Sequence, residues 1–236
     1  MSQIAYIGDL HGNFEALSLL MKKVSDESSV KTFIQVGDFG YWPRRGKINE
    51  GIESIEVTEN CKLFWIDGNH EDFESMKNFG MLHQPGQLKV WKNGQINYVP
   101  RGTILNIYGK NILFIGGAES IDAAGRTEHL DWFREESITQ RDIENALSAI
   151  EEFPDAIDVV VSHECPASFD LPKILQHNWE MFGWKSWPPP SRIALQAILE
   201  VVSPKLWMFG HYHESMQGQV NETEWHCLKI EEVFVI

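Results

Sequence analysis

The chain has 236 residues, with 20 Lys and Arg against 34 Asp and Glu, for a net charge of −14. That acidity argues against a long nucleic-acid duplex as partner, because such binding rests on many Lys/Arg–phosphate contacts. Hydrophobic residues make up 43%, enough for a sizeable core, and no linker or repeat divides the chain, so one domain over 1–236 is expected. No stretch approaches the roughly 20 apolar residues that span a bilayer, and the first residues lack the basic and apolar regions of a signal peptide. Three cysteines, Cys61, Cys165 and Cys227, form no CxxC pair, so neither a disulfide framework nor a cysteine zinc site is expected. The expectation is a cytoplasmic protein with no membrane partner. A small anionic substrate fits if bound metal ions supply positive charge.

The first element is a buried strand ending in QIAYI (3–7), followed by Gly8-Asp9-Leu10-His11-Gly12. Asn13 to Ser28 carries Phe14, Leu17, Leu20, Met21 and Val24 at helical spacing, so Asp9 and His11 fall in a strand-to-helix turn. A second β-rich run, TFIQVGDFG (32–40), ends in Gly37-Asp38. A third, KLFWIDGNHE (62–71), ends in Gly68-Asn69-His70. Thr139 is cap-like and opens a helix from about Gln140 to Phe153. DVVVSHECP (158–166) delivers His163, and a further helix is expected from about Ser191 to Val202. LWMFGHYHE (206–214) delivers His211 and His213. The tail EWHCLKIEEVFVI reads as closing strands, with His226 structural.

Strands alternating with helices imply an α/β protein with sheets packed between helices. In such sheets ligands bind beyond the carboxyl ends of the strands. A single GD or GN is an ordinary turn, and a lone histidine is ordinarily a satisfied polar group. The joint occurrence is different. Of nine histidines, His11, His70, His163, His211 and His213 all fall just past strand ends. With Asp9, Asp38 and Asn69 they make a mixed oxygen and imidazole set that suits Mn, Fe, Zn or Ni better than Ca or Mg. Eight groups exceed the needs of one ion. They suit two ions sharing a carboxylate, with one group left for proton transfer.

The ordered motifs GDLHG (8–12), GD (37–38), GNHE (68–71), SH (162–163) and GHYH (210–213) resemble those of the calcineurin-like metallophosphoesterases. The resemblance implies a four-layer α-β-β-α sandwich, two mixed sheets flanked by helices. It implies two divalent ions, manganese foremost, with Fe, Zn and Ni as alternatives. Carried over by position, Asp9, His11, Asp38 and His213 hold one ion, while Asp38, Asn69, His163 and His211 hold the other. Asp38 bridges. Asn69 is also a potential donor to a phosphate oxygen, and His70 is the general acid, with Glu71 a candidate to orient it. A metal-bridging hydroxide attacks phosphorus.

In the protein-phosphatase branch the second motif continues GDxVDRG, and an arginine precedes GNHE. Here Trp42 and Asp67 take those positions, so phosphoprotein specificity is not implied; Arg44 and Arg45 are the nearest substitutes. The segment NILFIGGAESIDAAGRTEHLDWFREESIT (111–139) resembles a block in small phage and bacterial members that act on phosphodiesters, including 2′,3′-cyclic nucleotides. It adds Arg126 to the substrate-binding candidates, with Ser120 and Asp122 beside it. The insert FDLPKILQHNWEMFGWKSWPPPSR (169–192) holds Trp179, Trp184 and Trp187, which either stack a base or pack the loop. The expected function is a dimetal phosphoesterase for small phosphoesters, foremost a nucleotide phosphodiesterase. The alternatives are a Ser/Thr-type protein phosphatase, a dinucleoside polyphosphate hydrolase, and a non-catalytic scaffold on the same fold.

Overall fold

The structure, a computed structural model, describes residues 3–44 and 51–236. In chain order the elements begin β1 (Ile4–Ile7), α1 (Phe14–Glu27), β2 (Thr32–Gln35), β3 (Lys62–Trp65), α2 (Phe73–Asn78), β4 (Lys89–Trp91) and β5 (Ile96–Tyr98). They continue β6 (Thr103–Ile107), β7 (Lys110–Ile115), α3 (Gln140–Glu152), β8 (Val159–Ser162), α4 (Lys173–Met181) and α5 (Pro190–Val202). The chain closes with β9 (Leu206–Phe209), β10 (Met216–Val220), β11 (Thr223–Cys227) and β12 (Val233–Val235).

Two six-stranded sheets result, ordered β12-β1-β2-β3-β5-β4 and β10-β11-β9-β8-β7-β6. In the first, β1, β2, β3 and β5 run parallel, with β12 and β4 antiparallel at the edges. The second repeats the plan, with β7, β8, β9 and β11 parallel between antiparallel β6 and β10.

Side-chain alternation builds the layers. Ile4 and Tyr6 of β1, Ile34 of β2, Phe114 of β7, Val161 of β8 and Met208 of β9 face inward into one core between the sheets. Their neighbours Ala5, Ile7 and Phe33 face the opposite way, onto Phe14, Leu17 and Met21 of α1. On the second sheet Leu113, Val160, Trp207 and Phe209 meet Leu195, Ile198 and Leu199 of α5 and Ala146 of α3. Strands buried on both faces are apolar throughout, which is why they stand out in the sequence. The result is the expected sandwich of two mixed sheets with helices outside.

The helix ends follow their chemistry. Asn13 caps α1 by accepting from the Ala16 N–H, and Thr139 forms a capping box with Asp142 on α3. Pro190 occupies the first turn of α5, where a missing N–H costs nothing. The three cysteines are free and buried. The tail does more than close a sheet. β11 belongs to the second sheet and β12 to the first, and between them the Glu231 N–H donates to the Asp9 carbonyl (3.0 Å) while Glu232 accepts from Gly8 (2.9 Å). His226 turns away from the strand ends and meets Glu224 at 2.8 Å.

Arg101 lies where the chain passes from the first sheet to the second. Its guanidinium is 5% exposed and donates to Asp67 (2.6 and 2.8 Å), Asp142 (3.0 Å) and the Ser137 carbonyl (2.9 Å). Removing it leaves two buried carboxylates without their cation. Arg101→Met is expected to cost about 3–5 kcal/mol of unfolding free energy. Urea unfolding checks this, and a loss below about 1 kcal/mol would show that the network does not hold the sheets together.

Candidate metal centre

Five parallel strands, β1, β2 and β3 from one sheet and β8 and β9 from the other, end on the same side of the sandwich. The turns after them bring Asp9, His11, Asp38, Asn69, His70, His163, His211 and His213 together. Ligand atoms of Asp9, His11, Asp38 and His213 all lie within 4.8 Å of one another. The Nε2 atoms of His11 and His213 stand 3.0 Å apart, and His213 Nε2 is 3.1 Å from Asp9 Oδ2. On the other side of Asp38, His163 Nε2 is 3.3 Å from Asp38 Oδ1 and 3.2 Å from Asn69 Oδ1. The His211 ring packs edge-on to His163 at 5.0 Å.

The close approach explains the glycine before several of these residues. A Cβ on Gly68 would stand 2.1 Å from Asp38 Oδ1, and one on Gly210 would stand 2.2 Å from Asp9 Oδ1. The backbone is also bent to purpose. His11, Asp38, His211 and His213 all have positive φ, between 47° and 71°. Residues with side chains are uncommon in that region, and four of the thirteen such described residues meet at this one place.

Cations fit this arrangement. Asp9 and Asp38 are fully buried side by side; Asp38 Oδ2 has no hydrogen-bond partner, and Asp9 Oδ2 has only imidazole edges near it, the nearer being His213 at 3.1 Å. Buried unpaired carboxylate oxygens are costly unless a metal or a donor takes them. Burial alone would raise Asp38, but His163, His70 and His11 hold it well below the usual carboxylate range. Burial likewise opposes charge on His163, yet Asp38 outweighs it and pushes the imidazole up to about 10. The carboxylate demands positive charge at this point. His163 Nδ1 donates to the Val36 carbonyl (3.0 Å), which leaves Nε2 turned to the cluster as a ligand requires.

Several supporting groups are not evident from the motifs. Asn69 Nδ2 donates to Ser120 Oγ (3.0 Å), which donates to Glu136 (2.8 Å). Trp132 donates to the same carboxylate. This relay turns Asn69 Oδ1 toward the cluster. Glu164 lies 3.7 Å from His211 Nε2 and accepts from the Tyr212 hydroxyl (2.5 Å) and the Cys165 N–H (2.8 Å). Its one sequence signal is its place directly after His163.

The structure also redistributes the candidates around the site. Glu71 does not orient His70. Its carboxylate is consumed by the backbone N–H groups of Phe39, Gly40 and Tyr41, at 2.7, 3.0 and 2.6 Å. His70 is instead held through its backbone, its N–H by Asp38 (2.8 Å) and its carbonyl by the Trp42 indole (2.7 Å). Arg44 is not brought into the cleft. The buried Asp72 takes its guanidinium at 2.5 and 2.7 Å, and Glu74 accepts from Nη1 at 2.8 Å. Arg45 lies outside the described residues. Arg126 does reach the site, with Nη1 3.1 Å from His70 Nδ1, Nη2 3.5 Å from Nε2, and Nε on Asp122 at 2.8 Å. Burial lowers His70, and Arg126 adds to that push against the pull of Asp38. Ser120 is buried behind Asn69 and does not line the cleft.

A cleft of about 380 Å³ opens onto the cluster, lined at one end by Asp38, Asn69, His70 and His211 and at the other by residues of the 169–192 insert. The profile of the calcineurin-like phosphoesterases matches residues 2–215. The chain belongs to that family. It is therefore a metal-dependent phosphoester hydrolase. Among solved structures, a protein of Thermus thermophilus designated TT1561 is 12% identical, with a TM-score of 0.57, over 97% of this chain and 89% of its own. A putative 5′-nucleotidase from Staphylococcus aureus is 13% identical, with a TM-score of 0.54, over 99% of this phosphoesterase but only 50% of its own length. At these identities the likeness is one of fold. No curated protein matches the chain. No described helix is long and apolar enough to cross a membrane.

The Asn69–Ser120–Glu136 relay makes a direct claim. Ser120→Ala should keep the fold but weaken divalent-metal affinity about 10–100-fold, as loss of a group orienting a ligand does elsewhere. Metal titration followed by calorimetry checks it, and unaltered affinity would mean that Asn69 needs no such support.

Proposed function

We propose that this phosphoesterase is a dimetal phosphodiesterase for small, nucleotide-sized substrates, with 2′,3′-cyclic nucleotides the foremost class. The observation that carries the diester reading is the charge of the cleft. Among its described lining residues Arg126 is the one Lys or Arg. A monoester dianion or a phosphoprotein needs more cationic contact than a diester monoanion. The two positions at which the protein-phosphatase branch carries arginine serve structure here. Trp42 fixes the His70 carbonyl, and Asp67 pairs with Arg101. The core shared by both sheets supports the reading of the chain as one domain.

In this reading Asp9, His11, Asp38 and His213 hold one divalent ion, and Asp38, Asn69, His163 and His211 hold the second. Manganese is the first choice, with Fe, Zn and Ni suited to the same donors. When bound, such a pair neutralises phosphate charge and activates water. Arg126 binds a non-bridging phosphate oxygen and in doing so leaves the imidazole edge of His70. That edge then faces the leaving oxygen, to which His70 delivers a proton. Asp38 and Trp42 hold the His70 backbone still while this happens.

A panel of substrates tests the reading. With Mn²⁺, cyclic nucleotides and a bis-aryl diester should exceed an aryl monoester and a phosphopeptide in kcat/KM by about tenfold or more, and chelation should abolish all turnover. Preference for the phosphopeptide would overturn it, as would full activity in protein shown by elemental analysis to lack metal.

His70 separates mechanism from metal binding. His70→Ala should retain both ions and slow hydrolysis of ribose esters by about 10²–10⁴, the usual worth of a general acid. A nitrophenyl ester, whose leaving group departs without a proton, should slow much less. Equal loss on both, with metal missing, would make His70 a ligand.

A further inference from the structure

The end of the cleft away from the metal-ligand cluster is built differently. Trp179, Trp187 and Phe182 line it, with Asn178 among them. The wall is braced before any ligand arrives. Trp179 stacks on Trp184 at 4.6 Å, and the Trp184 indole donates to the Ile121 carbonyl (2.8 Å), in the same loop region as Arg126. Trp187 packs edge-on to Trp179 at 6.2 Å, and the guanidinium of Arg192 sits 5.0 Å from its ring centre. Arg192 is 1% exposed and donates to the carbonyls of Pro166 and Phe169, so it fixes that ring. Trp187 is only partly buried, and Phe182 is 51% exposed, a large apolar side chain left at the cleft rim.

We propose that this aromatic end is a nucleobase subsite, with Trp187 and Phe182 as the surfaces the base lies against and Asn178 as the group that reads its edge. The inference rests on the phosphodiesterase reading and names the part of the substrate that the metal end cannot see. Three observations select a base over other occupants. Bases stack on aromatic rings whatever their sequence. The Asn178 amide offers both donor and acceptor and has no protein partner among the described residues; a base edge can answer both, whereas an alkyl chain would bury them unpaired. The cleft of about 380 Å³ lies in the range of small-molecule sites, roughly 300–1,000 Å³, and admits a nucleotide but not a folded partner.

The test compares two esters with the same reacting group on the Mn²⁺-loaded protein: adenosine 2′,3′-cyclic phosphate and the base-free 1-O-methylribose 2′,3′-cyclic phosphate. The nucleoside ester should have a KM about 5- to 100-fold lower, the range that stacking of one base supplies. Phe182→Ala, at an exposed position, should raise KM for the nucleoside ester about fivefold or more and for the base-free ester by a clearly smaller factor. Trp187→Ala should do the same, with Trp187→Phe restoring most of the difference. Calorimetric binding of AMP and ribose 5-phosphate supplies a readout independent of turnover, with AMP expected to bind at least about fivefold tighter. Turnover of both esters with equal KM, and equal binding of AMP and ribose 5-phosphate, overturns the subsite and leaves the phosphodiesterase reading standing. Preferential AMP binding with no turnover of either ester does the reverse.

Discussion

Asp9 and Asp38 are buried beside each other, with one Asp38 oxygen left without a hydrogen-bond partner and one Asp9 oxygen met only by imidazole edges. Two anions brought out of water in one place repel each other and lose hydration, an arrangement that persists only where positive charge is supplied. Much of the surrounding structure answers that demand. Histidines from neighbouring turns point at the pair, Asp38 accepts the His70 N–H, and Val36 fixes His163 so that Nε2 is turned to the cluster. The left-handed residues and the glycines that make room follow from the same crowding, because the carboxylates can come this close only if the backbones around them do.

The same economy of charge runs through the supporting layer. In a chain with a net charge of −14, arginines are claimed first by buried carboxylates. Arg101 is taken by Asp67 and Asp142, and Arg44 by Asp72 and Glu74. Arg126 meets a carboxylate, Asp122, only through Nε, and its two Nη atoms lie along His70, with Nη1 also donating to the Asp131 carbonyl (3.3 Å). In the proposed diester reading, a cleft with so little fixed cationic charge favours substrates that bring little negative charge themselves. That ties the choice of substrate to the packing of distant acids as much as to the residues that touch it.

The insert after β8 is a structural support and a cleft wall at once. Trp184 fastens it to the loop after β7 through the Ile121 carbonyl, and Trp179 stacks on Trp184. Trp187 and Phe182 are thereby held at the mouth of the cleft. Trp179 and Trp184 serve packing, and under the proposed subsite Trp187 remains for a base, so the two readings of these tryptophans are not exclusive.

The amino-acid sequence by itself determined the family, the alternation of strands and helices, and the eight residues that meet at the strand ends. These are local facts. A parallel strand delivers whatever follows its last residue to one edge of its sheet, so a motif directly after an apolar run carries its own address. The cap of α3 was legible for the same reason. α4 was not, because it is only nine residues long and no side chain caps its start. The strand order of the two sheets, and the crossing of the tail from one to the other, depended on tertiary structure. So did the fate of each charged side chain. Nothing within the chain around Arg44, Glu71, Glu136 or Glu164 shows whether it faces the cleft, the backbone or another charge. That is settled by which buried donor or acceptor, often dozens of residues away, has no other partner.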